Sequence, residues 1–159
     1  LPATGPALVV AGDRVTDPEN VGALIRIGAA FGAAAIVLGP GSADPFSRRV
    51  LRVSMGNGLF LPIVQASDLT AQLMELQQAH AMQLCLTLLD PTAQPLHQHP
   101  FAPRTVLVFG NEYDGISSVV QQLPGPRLTI PMLNGTDSLN VAVSAGIFLH
   151  QYRSLIPAG

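Results

Sequence analysis

The chain has 159 residues, of which 48% are hydrophobic and 11% charged, and its formal net charge is -2. With a mean hydropathy of +0.37 and a pI near 6.0, it can bury a core of one domain, which excludes disorder, and it carries no global basic field to recruit nucleic acid. A lone cysteine, Cys85, excludes a disulfide framework, and the absence of a bilayer-length apolar run or signal peptide predicts a cytoplasmic protein with no membrane partner.

Short apolar strands alternate with helical patterns along the chain. Residues 7–11 (ALVVA) read as a buried strand, followed by a polar turn over 13–20. Asn20 is placed to cap a helix over 21–31. A second strand spans 34–38 and is closed by Gly39-Pro40-Gly41. Asp44 and Pro45 suit the cap and first position of a helix running towards Met55. A third strand covers 61–64, and Ser67 or Asp68 caps an amphipathic helix to about Met82. Residues 83–89 form a fourth strand, and the proline-rich stretch 90–103 reads as an irregular connection. The fifth strand is 105–109, the sixth 127–130, and a helix from about Ser138 to Leu155 closes the chain.

Near-continuously apolar strands separated by helices predict an α/β fold: a parallel six-stranded sheet with helices on both faces. Ligands of such sheets bind beyond the carboxyl ends of the strands. The informative loops are those after strands one, four, five and six, and three of these four are unusually polar.

The first is Asp13-Arg14-Val15-Thr16-Asp17-Pro18-Glu19-Asn20-Val21-Gly22, with Arg26 beyond it. Gly22 permits close approach of another backbone. Arg26 stands among Leu24, Ile25 and Ile27, an uncomfortable setting for a merely solvated charge. The second is Gly110-Asn111-Glu112-Tyr113-Asp114-Gly115, which alone could be a turn before a helix capped by Ser117. In the third, Ile130-Pro131-Met132 leads through Asn134-Gly135-Thr136-Asp137 to Ser138-Leu139-Asn140. A helix needs one capping side chain; several in five positions favour a binding loop.

Together these segments resemble the SpoU (TrmH-type) family of RNA ribose 2'-O-methyltransferases, in the SPOUT superfamily. The first looks like that family's D-x-V-x-D-P-x-N-x-G-x-x-x-R element, the second its G-N-E-x-x-G, and the third, over 130–141, its I-P-M-x5-S-L-N-V. Arg52-Val53-Ser54-Met55-Gly56 matches a further stretch between them. The likeness spans nearly the whole chain. It implies a deep trefoil knot in the C-terminal part, which composition would never suggest because knotted chains are rare. It implies S-adenosyl-L-methionine as methyl donor, with no metal, held by Gly110, Ile130 and Leu139, with Met132 and Ser138 in the same loop. It also assigns Arg26 as the catalytic arginine, with Asn20, Glu112, Ser138 and Asn140 in the functional motifs. Guanidinium groups stay protonated at physiological pH. The expected role of Arg26 is therefore to stabilise developing alkoxide and grip a phosphate, with Asn20 orienting it and Glu112 and Asn140 organising loops. One departure is Asn134, where the family often has glycine; asparagine tolerates left-handed backbone.

The resemblance further implies a tRNA or rRNA substrate, a homodimer, and residues 1–159 as one catalytic domain, with an N-terminal RNA-binding domain outside this chain. Arg48, Arg49 and Arg52 form a basic cluster suited to RNA, against a plain solvated face. Two rival readings exist. One is a non-catalytic relative that binds RNA or adenosylmethionine, against which Arg26 and Asn20 argue. The other is a nicotinamide-dependent oxidoreductase, for which Gly22, Gly28 and Gly32 lack the G-x-G-x-x-G spacing. Cys85 reads as a buried strand thiol. His97 and His99 read as solvated loop residues without partner metal ligands and His150 as a cation near a helix end, while Phe148, Leu149 and Leu155 read either as core or as a helix face buried in a homodimer.

Overall fold

The computed structural model describes residues 1–135 and 138–157; Thr136 and Asp137 of the third motif lie outside the described residues, as do Ala158 and Gly159. Strands β1 (Ala7–Gly12), β2 (Ala35–Leu38), β3 (Ile63–Gln65), β4 (Gln83–Thr87), β5 (Gln94–Pro95), β6 (Arg104–Phe109) and β7 (Arg127–Thr129) form one sheet in the order β3-β2-β1-β6-β4-β7-β5. Every pairing is parallel. The sheet therefore has seven strands rather than six. The additional one is Gln94–Pro95 inside the stretch read as irregular, where it pairs with Leu128 and Thr129. Two residues with no apolar run carry no strand signal of their own.

The helices are α1 (Pro18–Ala30), α2 (Arg48–Val53), α3 (Leu69–Ala79), α4 (Ser118–Gln121) and α5 (Val141–Leu155). The two-residue period of a strand divides the core. Leu8, Val10, Leu107 and Phe109 pack beneath α1, α2 and α5, whereas Val9, Ala11, Val106 and Val108 pack beneath α3 and α4. Phe148 meets Phe109 edge to face at 5.8 Å, so Phe148 and Leu149 are core, while Leu155 is exposed.

Several boundaries differ from the sequence reading. Asp17, not Asn20, caps α1: its side chain accepts from the Glu19 amide at 2.8 Å, and Pro18 takes the first helical position. Asn20 is left inside the first turn and buried. Ser47 rather than Asp44 caps α2, because Asp44 is used in a local turn, accepting from the Phe46 amide. Asn140, not Ser138, caps α5, accepting from the Ala142 amide at 2.8 Å. Gly22 is where α1 and α2 touch: a Cβ there would lie 2.7 Å from the Val53 Cβ.

His99 is buried rather than solvated, while His97 is exposed. The His99 ring stands edge-on to Phe101, which in turn meets Tyr152 of α5, and its Nδ1 lies 3.1 Å from Gln94 Oε1. Burial pulls its pKa down. Cys85 is fully buried and burial pushes its thiol up to about 12.

Candidate active site

A cavity of about 550 Å³ opens at the carboxyl ends of β1, β4, β6 and β7. Thr16 and Asp17 line it from the β1–α1 loop, Asn20 from the first turn of α1, and Thr87, Leu88 and Leu89 from the end of β4. Residues 109–113 and Gly115 follow β6; Ile130, Met132, Ser138, Leu139 and Asn140 follow β7. Its size suits a cofactor-sized ligand, and its lining combines leucine, isoleucine and methionine side chains with carboxylates and amides.

The polar side is built around Glu112. Its Oε1 accepts from the Asp17 amide at 3.1 Å and from Asn20 Nδ2 at 3.0 Å. Its Oε2 accepts from the Thr16 amide and hydroxyl at 3.3 and 3.2 Å. The carboxylate thus occupies the N-terminus of α1, where free amides and the helix dipole favour negative charge. Burial alone would raise its pKa; hydrogen bonds from Asn20, its own backbone, Asp17 and Thr16 outweigh that and hold it below the usual range. Asn20 Oδ1 in turn accepts from Asn140 Nδ2 at 3.0 Å. One chain of hydrogen bonds therefore joins all three polar segments.

The turn after β6 is fixed independently. Asn111 Oδ1 accepts from the amides of Tyr113 and Asp114, and Asn111 Nδ2 donates to the Arg14 carbonyl at 2.7 Å. Asp13 Oδ2 accepts from the Ser117 amide at 2.6 Å. Gly110 is obligatory, since a Cβ there would fall 2.1 Å from the Gly115 carbonyl carbon. In the third loop Asn134 has φ 58 and is followed by Gly135 at φ 72, so asparagine adopts the left-handed backbone at the departure position.

Of the residues singled out in the sequence, Asn20, Gly110, Glu112, Ile130, Met132, Ser138, Leu139 and Asn140 all line this cavity. Arg26 does not. It is exposed on α1, six residues beyond Asn20 and about 120° around the helix from it. Within one chain the Asn20 side-chain amide is hydrogen-bonded to Glu112 and Asn140 rather than to Arg26. Arg49 is paired with Glu19 at 2.6 Å, whereas Arg48 and Arg52 are exposed without a partner among the described residues. Sequence reasoning missed Leu88 and Leu89, whose loop has no polar signature, and Ser144, one turn beyond Asn140 on α5. Among the described residues no group of three or more His, Cys, Asp or Glu could hold a metal ion, and no helix is long and apolar enough to cross a membrane.

This geometry can be set beside known proteins. The model of the SpoU rRNA Methylase family matches residues 7–150. The chain belongs to that family. An uncharacterized tRNA/rRNA methyltransferase of Mycobacterium tuberculosis is 35% identical, over 95% of this chain and 56% of its own length. The 23S rRNA (guanosine-2'-O-)-methyltransferase of Acinetobacter baylyi is 31% identical, over 91% of this chain and 58% of its own. The crystal structure of an AdoMet-bound rRNA methyltransferase from Sinorhizobium meliloti superposes with a TM-score of 0.88 at 31% identity, covering 99% of this chain and 60% of that one. The SpoU domain described here thus spans somewhat more than half the length of these relatives.

Proposed function

We propose that this chain is the catalytic domain of an S-adenosylmethionine-dependent methyltransferase that acts on a ribose 2'-hydroxyl in tRNA or rRNA. The observation that carries the reading is the convergence of the loops after β1, β6 and β7 on one cavity, tied through Glu112, Asn20 and Asn140. The 23S rRNA 2'-O-methyltransferase relative and the AdoMet-bound neighbour support it. The same reading includes the family's C-terminal trefoil knot, to which the parallel sheet and the close superposition lend support.

The cavity's chemistry fits the donor. Gly110, Ile130, Met132 and Leu139 offer an apolar slot with backbone groups for adenine, Ser138 adds a polar contact, and the Glu112 carboxylate and nearby Asp17 make the cavity favourable to a cation. When bound, S-adenosylmethionine supplies an electrophilic methyl group. Glu112 and Asn140, already engaged in loop contacts, hold the walls in place before any ligand arrives, which is orientation supplied in advance.

Arg26 is the group assigned to the ribose. A permanently protonated guanidinium stabilises oxygen as it becomes alkoxide and grips an adjacent phosphate. Because Arg26 faces outward in its own chain, this role requires a homodimer in which it serves the partner's cavity. Val143 and Ile147, four residues apart on α5 and both exposed, supply apolar surface for such contact beside α1. A further RNA-binding domain, N-terminal to these 159 residues, would add the affinity that a net charge of -2 withholds, in a cytoplasmic enzyme. The test is transfer of labelled methyl from S-adenosylmethionine to bulk tRNA and rRNA. The expectation is that Arg26→Lys retains appreciable transfer and Arg26→Ala loses it; equal loss in both contradicts an electrostatic role, and no transfer by the unaltered protein contradicts the assignment.

A further inference from the structure

All eight basic side chains are arginines, and most are spent on the protein itself. Arg14 lies 3.6 Å from Asp13 and from Asp114, and Arg49 pairs with Glu19. Arg104 donates to the carbonyls of His80, Pro2 and Gly5. Arg127 donates to those of Gly125, Gln121 and Leu123, and Arg153 to those of Phe31, Gly32 and Ile156. The arginines left without a hydrogen bond or ion pair among the described residues are Arg26, Arg48 and Arg52, all exposed.

These sit on two helices in contact. Arg48 and Arg52 are four apart and share a face of α2; Arg26 is four beyond Gly22, the point where α1 touches α2. From Pro45 to Ser67 the sequence has no acidic residue. Glu19 of α1 is taken up by Arg49, so the remaining guanidiniums of the two helices form a local positive field on a chain that is acidic in total.

The same segment exposes apolar side chains. Met55 is 68% exposed, Leu59 67% and Phe60 86%, and Phe46 is half-exposed. Phe46 and Phe60 flank one compact unit. The 3-10 turn Asn57–Leu59 folds back so that a Cβ at Gly58 would lie 3.5 Å from Leu51 Cδ2 and 3.8 Å from the Pro45 carbonyl. The turn is held by Asn57 Nδ2 donating to the Ser54 carbonyl at 2.8 Å and by the Leu61 amide donating to that of Asn57 at 2.9 Å. Aromatic rings on a braced backbone, open to solvent beside free cations, mark an interaction surface rather than an unfinished core.

We propose that the face formed by α2 and its 3-10 turn docks single-stranded RNA next to the modified nucleotide, with Arg48 and Arg52 on phosphates and Phe60 and Phe46 as stacking faces for bases. The inference rests on the methyltransferase reading for its substrate. Single strands combine what the face asks for: regularly spaced negative charge and unpaired aromatic bases. A second copy of this chain fits less well, since a two-fold contact would press this positively charged patch, which has no acidic residue from Pro45 to Ser67, against an identical one.

The experiment is anisotropy titration of a labelled 12-nucleotide single-stranded RNA from 50 mM to 200 mM salt, with S-adenosylmethionine affinity measured by calorimetry on the same proteins. Phe60→Ala should weaken RNA binding about tenfold and Phe60→Trp should restore it. Arg48→Ala combined with Arg52→Ala should flatten the dependence of log affinity on log salt by about 1.4. Neither change should move S-adenosylmethionine affinity. The proposal is overturned if the unaltered protein fails to bind the oligonucleotide at 50 mM salt, if the variants bind like it, or if Phe60→Ala instead alters the oligomeric state seen by sedimentation. Loss of S-adenosylmethionine binding in the unaltered protein, with the RNA effects intact, would sink the enzyme reading and leave the docking face standing.

Discussion

Asn20 donates to Glu112 at 3.0 Å across 92 positions of sequence, and that bond fixes the helix after β1 against the turn after β6. Asn20 also accepts from Asn140 at the start of α5. A residue that the sequence presents as a helix cap is instead the junction of three loops. The two amides should therefore be energetically coupled. Asn140→Ala alone should cost about 1 kcal/mol through the lost cap, and a double-mutant cycle of Asn20→Ala with Asn140→Ala, followed by urea unfolding, should return a coupling of about 0.5–1.5 kcal/mol. Simple additivity would show that the bond is not made in solution.

Glu112 makes the fold acid-sensitive in a definable window. Its carboxyl binds protons less readily folded than unfolded, so its stabilisation is complete above the ordinary carboxyl value of 4.5 and is lost as pH falls through the depressed folded value. Glu112→Gln should lower stability at neutral pH by about 1–2 kcal/mol, and the melting temperature of that variant should fall less steeply below pH 4.5 than the wild type's. His99 acts in a higher window. Its folded pKa lies below the ordinary 6.5, so stability should begin to decline as pH drops through 6.5, and His99→Gln should remove that upper shoulder from the profile.

Gly110 permits no side chain. A Cβ placed 2.1 Å from backbone carbon of Gly115 cannot be relieved by a rotamer change, so the turn itself must move. Gly110→Ala should destabilise by about 3 kcal/mol and abolish S-adenosylmethionine binding measured by calorimetry. Retained binding would place the ligand away from this turn.

Cys85 should be inert in the native protein. A thiol buried in β4 and pushed up to about 12 presents almost no thiolate at pH 8. Reaction with a chromogenic disulfide at that pH should be undetectable until denaturant is added, then stoichiometric.

Much of the architecture was legible because β1, β2 and the centres of β4 and β6 are buried on both sides and are therefore near-continuously apolar. What escaped lacked a local signature. Gln94–Pro95 is a strand because Leu128 and Thr129 offer it an edge, not because of its own side chains. His99 is buried by Phe101 and, through it, by a ring more than fifty positions away, Tyr152. At α1 and α2 two capping candidates lay within three residues of each other: at α1 a tertiary contact draws Asn20 to Glu112 and leaves Asp17 to cap, while at α2 Asp44 is used in a local turn and leaves Ser47. The site was readable through its polar loops. Leu88 and Leu89 were not, since an apolar wall looks like the end of an apolar strand.

The account stands or falls on what occupies the cavity beyond β1, β4, β6 and β7. A crystal structure of the protein grown with S-adenosylmethionine tests this most directly. The expected result is the adenine lying against Gly110, Ile130 and Leu139, with the methyl group turned towards Arg26 of a second copy. Donor density in any other part of the molecule, or a cavity in which Arg26 of neither copy approaches the methyl, would contradict it.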